Sequence, residues 1–424
     1  MTAARSRPSV RLGALTALVV TLSFTMQAQA GLFQINAMSG DATSGISSSK
    51  TYTHAFDLNR GGTDPLGGND ALALTINGVL FSSAATSAGG TDALHGGSFT
   101  ATGMNATFNG HNPGVTGGAG DLIDDFFHNG NGNGGATPGT EVITLTGLTA
   151  GQVYKTVFYV GGFGTNAQDI TFSDNGATYP GVPRNGGLSP GARLEYTFVA
   201  SGAGSMTYTF DAQSNGDSFH QYGFTNEVVT GVTPIAGLFN TGVDNSGAVL
   251  GDSVNDPHYA IILQPAPGGL TDTTIPADGF PIPPWVANSA TSRWITPNTN
   301  DGNGPVGSYT YRTTFDLIDV DLSTVVIQGL WASDNGGTDI LINGLSTGST
   351  NGGFGSLTAF TINSGFVLGL NTLDFVLNND GPPGPTGLRV EGLSGFANIA
   401  VPEPATGMLL VLAGGALLRR RRAA

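Results

Sequence analysis

The stretch Tyr309-Thr310-Tyr311-Arg312-Thr313-Thr314-Phe315-Asp316-Leu317 alternates residue by residue. Tyr309, Tyr311, Thr313 and Phe315 fall on one side, and Thr310, Arg312, Thr314 and Asp316 on the other. A period of two is that of an extended strand, whose successive side chains point to opposite faces. One face therefore belongs to a core and the other to solvent or a second sheet. Further strand runs follow at 325–332, 338–342, 357–362, 372–377 and 387–393. Others precede it at 51–58, 71–81, 99–108, 141–148, 153–160, 169–172, 193–199, 205–210 and 219–226, bounded by Gly, Asn, Asp or Pro. Such spacing predicts an all-β chain of sandwich type. No segment keeps a helical period over ten residues, a turn at 121–127 aside.

Composition agrees. Glycine is 67 of 424 residues and charged side chains are 11%, against a usual glycine share of about 7%. High Gly, Asn, Thr and Ser with little Lys or Glu disfavours helices and suits strands joined by tight turns. Disorder is the competing reading, but 23 Phe, 10 Tyr and a mean hydropathy of +0.06 speak against it. There is no cysteine, which removes disulfides, thiol catalysis and thiolate metal sites. A length of this order exceeds what one core serves, so two β-sandwich, jelly-roll-like domains are expected. They cover 31–230 and 238–399, with a linker at 231–237 around Pro234.

In the first domain, Tyr52, His54 and Phe56 alternate near the start, and His220, Tyr222 and Phe224 near the end. These two strands are expected to lie side by side and close the sandwich. His54 and His220 read as packed polar aromatics rather than a metal or catalytic pair, because no third ligand stands at a recognisable spacing. Asp121, Asp124 and Asp125 offer oxygen ligands for Ca²⁺, although a solvated loop is the commoner fate of such a cluster. The tract 129–135 reads as a loop tip.

All three tryptophans, Trp285, Trp294 and Trp331, sit in the second domain. Residues 256–305 are rich in Pro, Asn and Asp, which predicts a long irregular loop or edge strands. A sugar site needs aromatic faces plus a few planar hydrogen-bonding groups. Trp285 and Trp294 with Arg293 and Arg312 are the carbohydrate-binding candidates, and Trp331, inside a strand pattern, belongs to the core. Asp334, Asn335 and Asp339 form a candidate structural Ca²⁺ site, which a plain Asx-Gly turn explains equally well. Taken in order, 311–317, 331–339, 342–344 and 369–373 resemble the galactose-binding-like jelly roll. Modules of that kind accompany glycosidases and other secreted proteins; many bind no sugar, and fold does not fix function.

The termini carry signals of their own. Arg5, Arg7 and Arg11 precede an apolar run at 12–26, and Ala28-Gln29-Ala30 supplies a small-x-small site. Residues 1–30 thus read as a secretory signal peptide cleaved after Ala30. In the tail, 400–424, Val401-Pro402-Glu403-Pro404 leads to an apolar run at 408–418 and then to Arg419, Arg420, Arg421 and Arg422. A helix over 405–418 would be roughly 21 Å long, short for a hydrocarbon core of about 30 Å. Snorkelling arginines recover part of the mismatch and hold this end on the cytoplasmic side. A buried helix of a soluble domain would spread its charges along one face instead.

That tail resembles the PEP-CTERM sorting signal of exported bacterial proteins. The resemblance covers Val401 to Arg422 and implies an exosortase partner, a membrane protease or transpeptidase, that recognises Pro402, Glu403 and Pro404. It also implies a single transmembrane helix anchored transiently in the inner membrane of a Gram-negative-type bacterium. The final location would be the cell envelope, outer surface or extracellular matrix.

Of the 15 Lys and Arg, three lie in 1–30 and four in the tail, and of the 30 acidic residues only Glu403 falls in the tail. The exported part therefore carries 8 basic against 29 acidic groups, a formal charge of −21. Nucleic acid is a poor partner for such a surface, and cations or neutral glycans suit it better. No G-x-S-x-G, H-E-x-x-H or P-loop pattern occurs, and no catalytic residue or cofactor beyond Ca²⁺ is expected. The favoured reading is a non-catalytic envelope or matrix protein associated with exopolysaccharide. The alternative is a lectin-like protein or glycan-active enzyme using the second sandwich.

Overall fold

In the computed structural model the opening stretch lies within the strand Gly307–Leu317, with Tyr309, Tyr311, Thr313, Phe315 and Leu317 buried and Asp316 exposed. The structure describes residues 31–58, 73–84, 86–108, 110, 114–129, 139–161, 167–174, 176–183, 190–212, 219–265, 272–276, 280–297 and 302–400. The signal-cleavage residues Ala28 and Ala30, the sorting motif, the arginine cluster and most of the 129–135 tract lie outside these ranges. No helix among the described residues is long and apolar enough to cross a membrane.

The chain folds as two successive β-sandwiches. In the first, one six-stranded sheet runs in the order Leu32–Met38, Gly191–Val199, Val153–Gly161, Gly223–Val228, Thr51–Leu58, Ser82–Ala84. The facing sheet runs Thr178–Pro183, Ala167–Phe172, Ser205–Ala212, Thr140–Thr146, Ser98–Thr102, Gly89–Thr91. Phe56, Phe158 and Phe224 from one sheet meet Phe99, Ile143, Tyr208 and Phe210 from the other. Segments 74–81 and 115–126 cover the outer face of the first sheet, burying Tyr52, Val157 and Tyr159 in a second cluster.

The closure expected between 51–58 and the end of this domain is present. Phe56 pairs with Phe224, and His54 with Asn226. Two details differ. Leu32–Met38 precedes this pair and occupies the far edge of the sheet. The register also shifts by one at Thr53, a bulge that turns Tyr52 to the face opposite Phe56.

In the second sandwich a four-stranded sheet, Val232–Pro234, Gly387–Asn398, Val326–Asp334, Thr358–Ile362, faces a six-stranded one. The latter runs Asp272–Thr274, Asn255–Leu263, Gly307–Leu317, Gly369–Asn379, Gly336–Ile342, Leu345–Ser346. Its core joins Tyr309, Tyr311 and Phe375 to Ile327, Trp331 and Val390. The expected linker 231–237 is in part a strand: Val232–Pro234 pairs with residues 396–398 at the sheet edge, where a proline's missing N–H is tolerated. Of the Pro-rich stretch 256–305, the first part forms the strand Asn255–Leu263, and 280–297 is irregular apart from isolated bridges.

The two sandwiches share a seam. Leu32, Val153 and Val199 pack on Val232, Val326 and Phe396, and Leu330 joins the first core. Gln328 Nε2 donates across the seam to Tyr179 Oη at 2.8 Å.

Candidate functional site

At one end of the second sandwich the chain turns from Val326–Asp334 in one sheet into Gly336–Ile342 in the other. Asp334 and Asn335 form that corner. Asp334 pairs with Gly387 and Gly336 with Asn378, and Asn335 N donates to Asn378 O at 2.9 Å. Thr386 Oγ1 donates to Asp334 O at 2.6 Å. Beside it, Asn379 is buried and donates to Gly304 O at 2.9 Å and Pro305 O at 3.2 Å. Carbonyls that would otherwise lack partners in this irregular stretch are thus satisfied.

The corner floors a cleft of about 470 Å³ walled by Pro283, Pro284, Trp285, Phe354, Asp380 and Pro382, among others. That size falls within the range of small-ligand sites. Trp285 Nε1 donates to Asp334 Oδ2 at 2.8 Å, and Asp334 Oδ1 has no hydrogen-bond partner among the described residues. Asn335 Oδ1 accepts from Asp380 N at 2.6 Å, which fixes the acidic rim over the floor. The cleft joins an indole edge, two carboxylates and an amide between rigid prolines.

Behind the cleft, the indoles of Trp285 and Trp294 lie 4.3 Å apart between centroids, and Trp294 Nε1 donates to Val286 O at 2.8 Å. Arg389 anchors this loop from below. Its Nε donates to Ser292 Oγ at 2.9 Å, and its other nitrogens donate to Ala287 O and Glu391 Oε2.

Burial pushes the Asp334 carboxyl from 3.8 up to about 6, with the Trp285 N–H opposing. The native state therefore holds this proton more tightly than the unfolded chain. Its contribution to stability is full below about pH 3.8 and is lost as pH rises through about 6. Asp334→Asn removes the titration and keeps an oxygen for Trp285. The variant's Tm is expected to fall less than wild type's between about pH 4 and pH 6.5. Asp256, also pushed up to about 6 by burial, titrates in both proteins, so their difference isolates Asp334. Parallel Tm curves would disprove the assignment.

The sequence candidates are brought together only in part. Trp285 borders the cleft, whereas Trp294 is fully buried behind it. Arg293 points elsewhere, donating to Leu250 O at 2.8 Å and pairing with Asp252. Arg312 makes a bidentate pair with Asp374 at 2.6 and 2.7 Å within the six-stranded sheet. Asp334 and Asn335 stand together, but Asp339 accepts from Gly348 N at 3.1 Å in a separate turn. No group of three His, Asp or Glu among the described residues is placed to hold a metal ion.

His54 is buried, with Nδ1 against Thr53 Oγ1 at 2.9 Å and Nε2 against Ser98 O at 3.0 Å, and burial lowers its pKa. His220 stacks on Phe126 at 4.0 Å. Sequence reasoning missed Asp380, the proline walls, and the Arg389 anchor.

No protein-family model matches the sequence, and no curated protein matches it either. Among solved structures, the ANXUR1 extracellular domain of Arabidopsis thaliana is 12% identical at a TM-score of 0.28, over 83% of this chain and 99% of that one. The CBM22-1–CBM22-2 tandem of Paenibacillus barcinonensis Xyn10C is 12% identical at 0.20, over 72% and 92%. Pleurotus ostreatus lectin in its apo form is 17% identical at 0.21, over 62% and 74%. Scores this low carry nothing from those proteins to this one.

Proposed function

We propose that this chain is an exported, non-catalytic envelope or matrix protein that holds a neutral polysaccharide in the cleft beside Trp285. The observation that carries the reading is the cleft itself, with Trp285, Asp334, Asn335 and Asp380 gathered at one corner. The apolar surface of Trp285, Phe354 and the proline walls suits the C–H faces of sugar rings, and carboxylates and amides suit vicinal hydroxyls. The formal charge of −21 between the termini favours neutral over anionic glycans. Export and tail processing rest on 1–30 and on Val401 to Arg422, through which an exosortase would place the protein at the cell surface.

A second reading has its own support. Asp334, whose carboxyl stays protonated to about pH 6, shares the cleft with Asp380, and paired carboxyls are the means of glycoside hydrolysis.

Co-sedimentation of the exported protein with insoluble neutral polysaccharides separates the two. Trp285→Ala and the rim variant Asp380→Ala are each expected to weaken retention about tenfold, a loss of about 1.4 kcal/mol. Retention unchanged in both would refute binding at this cleft. Release of reducing ends, abolished in Asp334→Asn, would replace the binding reading with the enzymatic one.

A further inference from the structure

We infer that the seam between the two sandwiches is a binding site for a primary ammonium, and that its ligand is the protein's own new N-terminus at Gly31. The inference rests on the export reading, since only cleavage after Ala30 creates that group. In the cleavage, water adds across the Ala30–Gly31 peptide bond: its oxygen goes to the Ala30 carbonyl carbon and its hydrogen to the departing nitrogen. At neutral pH the amine takes a further proton and Ala30 leaves as a carboxylate.

Gly31 does not lie on a loose end. It is buried, and its nitrogen donates to Tyr196 Oη at 2.9 Å. Tyr196 Oη in turn donates to both oxygens of Asp174, at 2.7 and 2.9 Å. An ammonium at this nitrogen would sit one hydroxyl away from a carboxylate, through charge-assisted hydrogen bonds.

The other half of the residue faces the second sandwich. Gly31 O accepts from Gln328 Nε2 at 3.1 Å and from Ser394 Oγ at 2.8 Å, both buried. One residue thus bonds Tyr196 of the first sandwich and Gln328 and Ser394 of the second. The site also selects glycine. A Cβ at position 31 would collide with the Tyr196 ring and with Thr197 O. A glycine at the first position of the processed chain is therefore fitted to the seam.

The two steps, processing and docking, are coupled. Before cleavage the nitrogen has one hydrogen, which Tyr196 takes. After cleavage it has three and a full charge, and Asp174 is the carboxylate through which a buried charge is tolerated. Processing would therefore tighten the contact between the sandwiches.

The test uses the full chain exported through its own residues 1–30. Mass spectrometry identifies the first residue, and the rate of N-terminal acylation at pH 7 is measured on native protein and on the same protein unfolded in urea. A start at Gly31 with acylation at least tenfold slower in the native state is expected. The protection should be lost in Gly31→Ala, which collides with Tyr196, and reduced in Asp174→Asn. A start at another residue would overturn both the cleavage and the docking. A start at Gly31 with equal native and unfolded rates would overturn the docking alone. Protection undiminished in folded Asp174→Asn and Gly31→Ala would also overturn it.

Discussion

Replacing Arg389 by Ala is expected to lower the stability of the second sandwich by about 3–5 kcal/mol. Urea denaturation followed by tryptophan fluorescence reads this directly, because all three tryptophans belong to that sandwich. Arg389 is buried on the strand Gly387–Asn398, with Glu391 two residues away on the same face. Burial lowers the Arg389 pKa, and Glu391 opposes that shift. Removing the guanidinium leaves Glu391 buried with, among the described residues, only Ser292 Oγ, at 2.7 Å, to donate to it. It also frees Ala287 O. The larger part of the loss is thus an uncompensated carboxylate rather than a forfeited attraction. The double variant Arg389→Met with Glu391→Leu, which orphans no charge, should recover most of the stability. A loss under about 1 kcal/mol in Arg389→Ala would mean that water reaches Glu391. The same substitution should impair the cleft, since the 285–294 loop that carries Trp285 is pinned through Ala287 and Ser292.

This anchor also marks where sequence reading stops. Tyr309 to Leu317 could be read as a strand because a period of two is local, and neighbours in sequence suffice to reveal it. Gly387–Asn398 is buried along nearly its whole length, so both faces are covered and no alternation distinguishes them. The only local trace of the anchor is the i, i+2 placement of Arg389 and Glu391, which puts opposite charges on one face of a strand. Their partner Ser292 lies 97 residues from Arg389. The same holds for the cleft, whose walls come from 282–285, 334–335, 354 and 379–385. Its floor at Asp334 was marked by an Asx-Gly turn, and one wall by a tryptophan, but nothing local ties Asp380 to either.

Tyr52 failed for a different reason, a single bulged residue at Thr53 that reverses a face. Arg293 and Arg312, candidates as planar hydrogen-bonding groups, lie away from the cleft, because a guanidinium's place in the sequence says nothing about the carboxylate it meets in space. Asp252 and Asp374 hold them away from the cleft.

Trp331→Ala is expected to destabilise the second sandwich by about 3–5 kcal/mol, from lost burial plus the cavity left behind. The indole is fully buried, with its ring 5.6 Å from that of Phe375. It lies so close to Gly337 that a Cβ there would collide with it. The surrounding backbone, held by paired strands on both sheets, has little freedom to collapse into the void.

The indole nitrogen supplies a sharper test. Trp331 Nε1 has no hydrogen-bond partner among the described residues, whereas Trp294 Nε1 donates to Val286 O. Trp331→Phe therefore removes a buried, unpaired donor and should cost about 1 kcal/mol or less, while Trp294→Phe orphans a carbonyl and should cost about 1–3 kcal/mol more. Urea titrations followed by the remaining indoles should rank the losses as Trp331→Ala, then Trp294→Phe, then Trp331→Phe. Equal costs for the two phenylalanine variants would show that the Trp331 N–H is bonded in solution, by water or by a shifted carbonyl. The core around Phe375 would then be wetter than its packing implies.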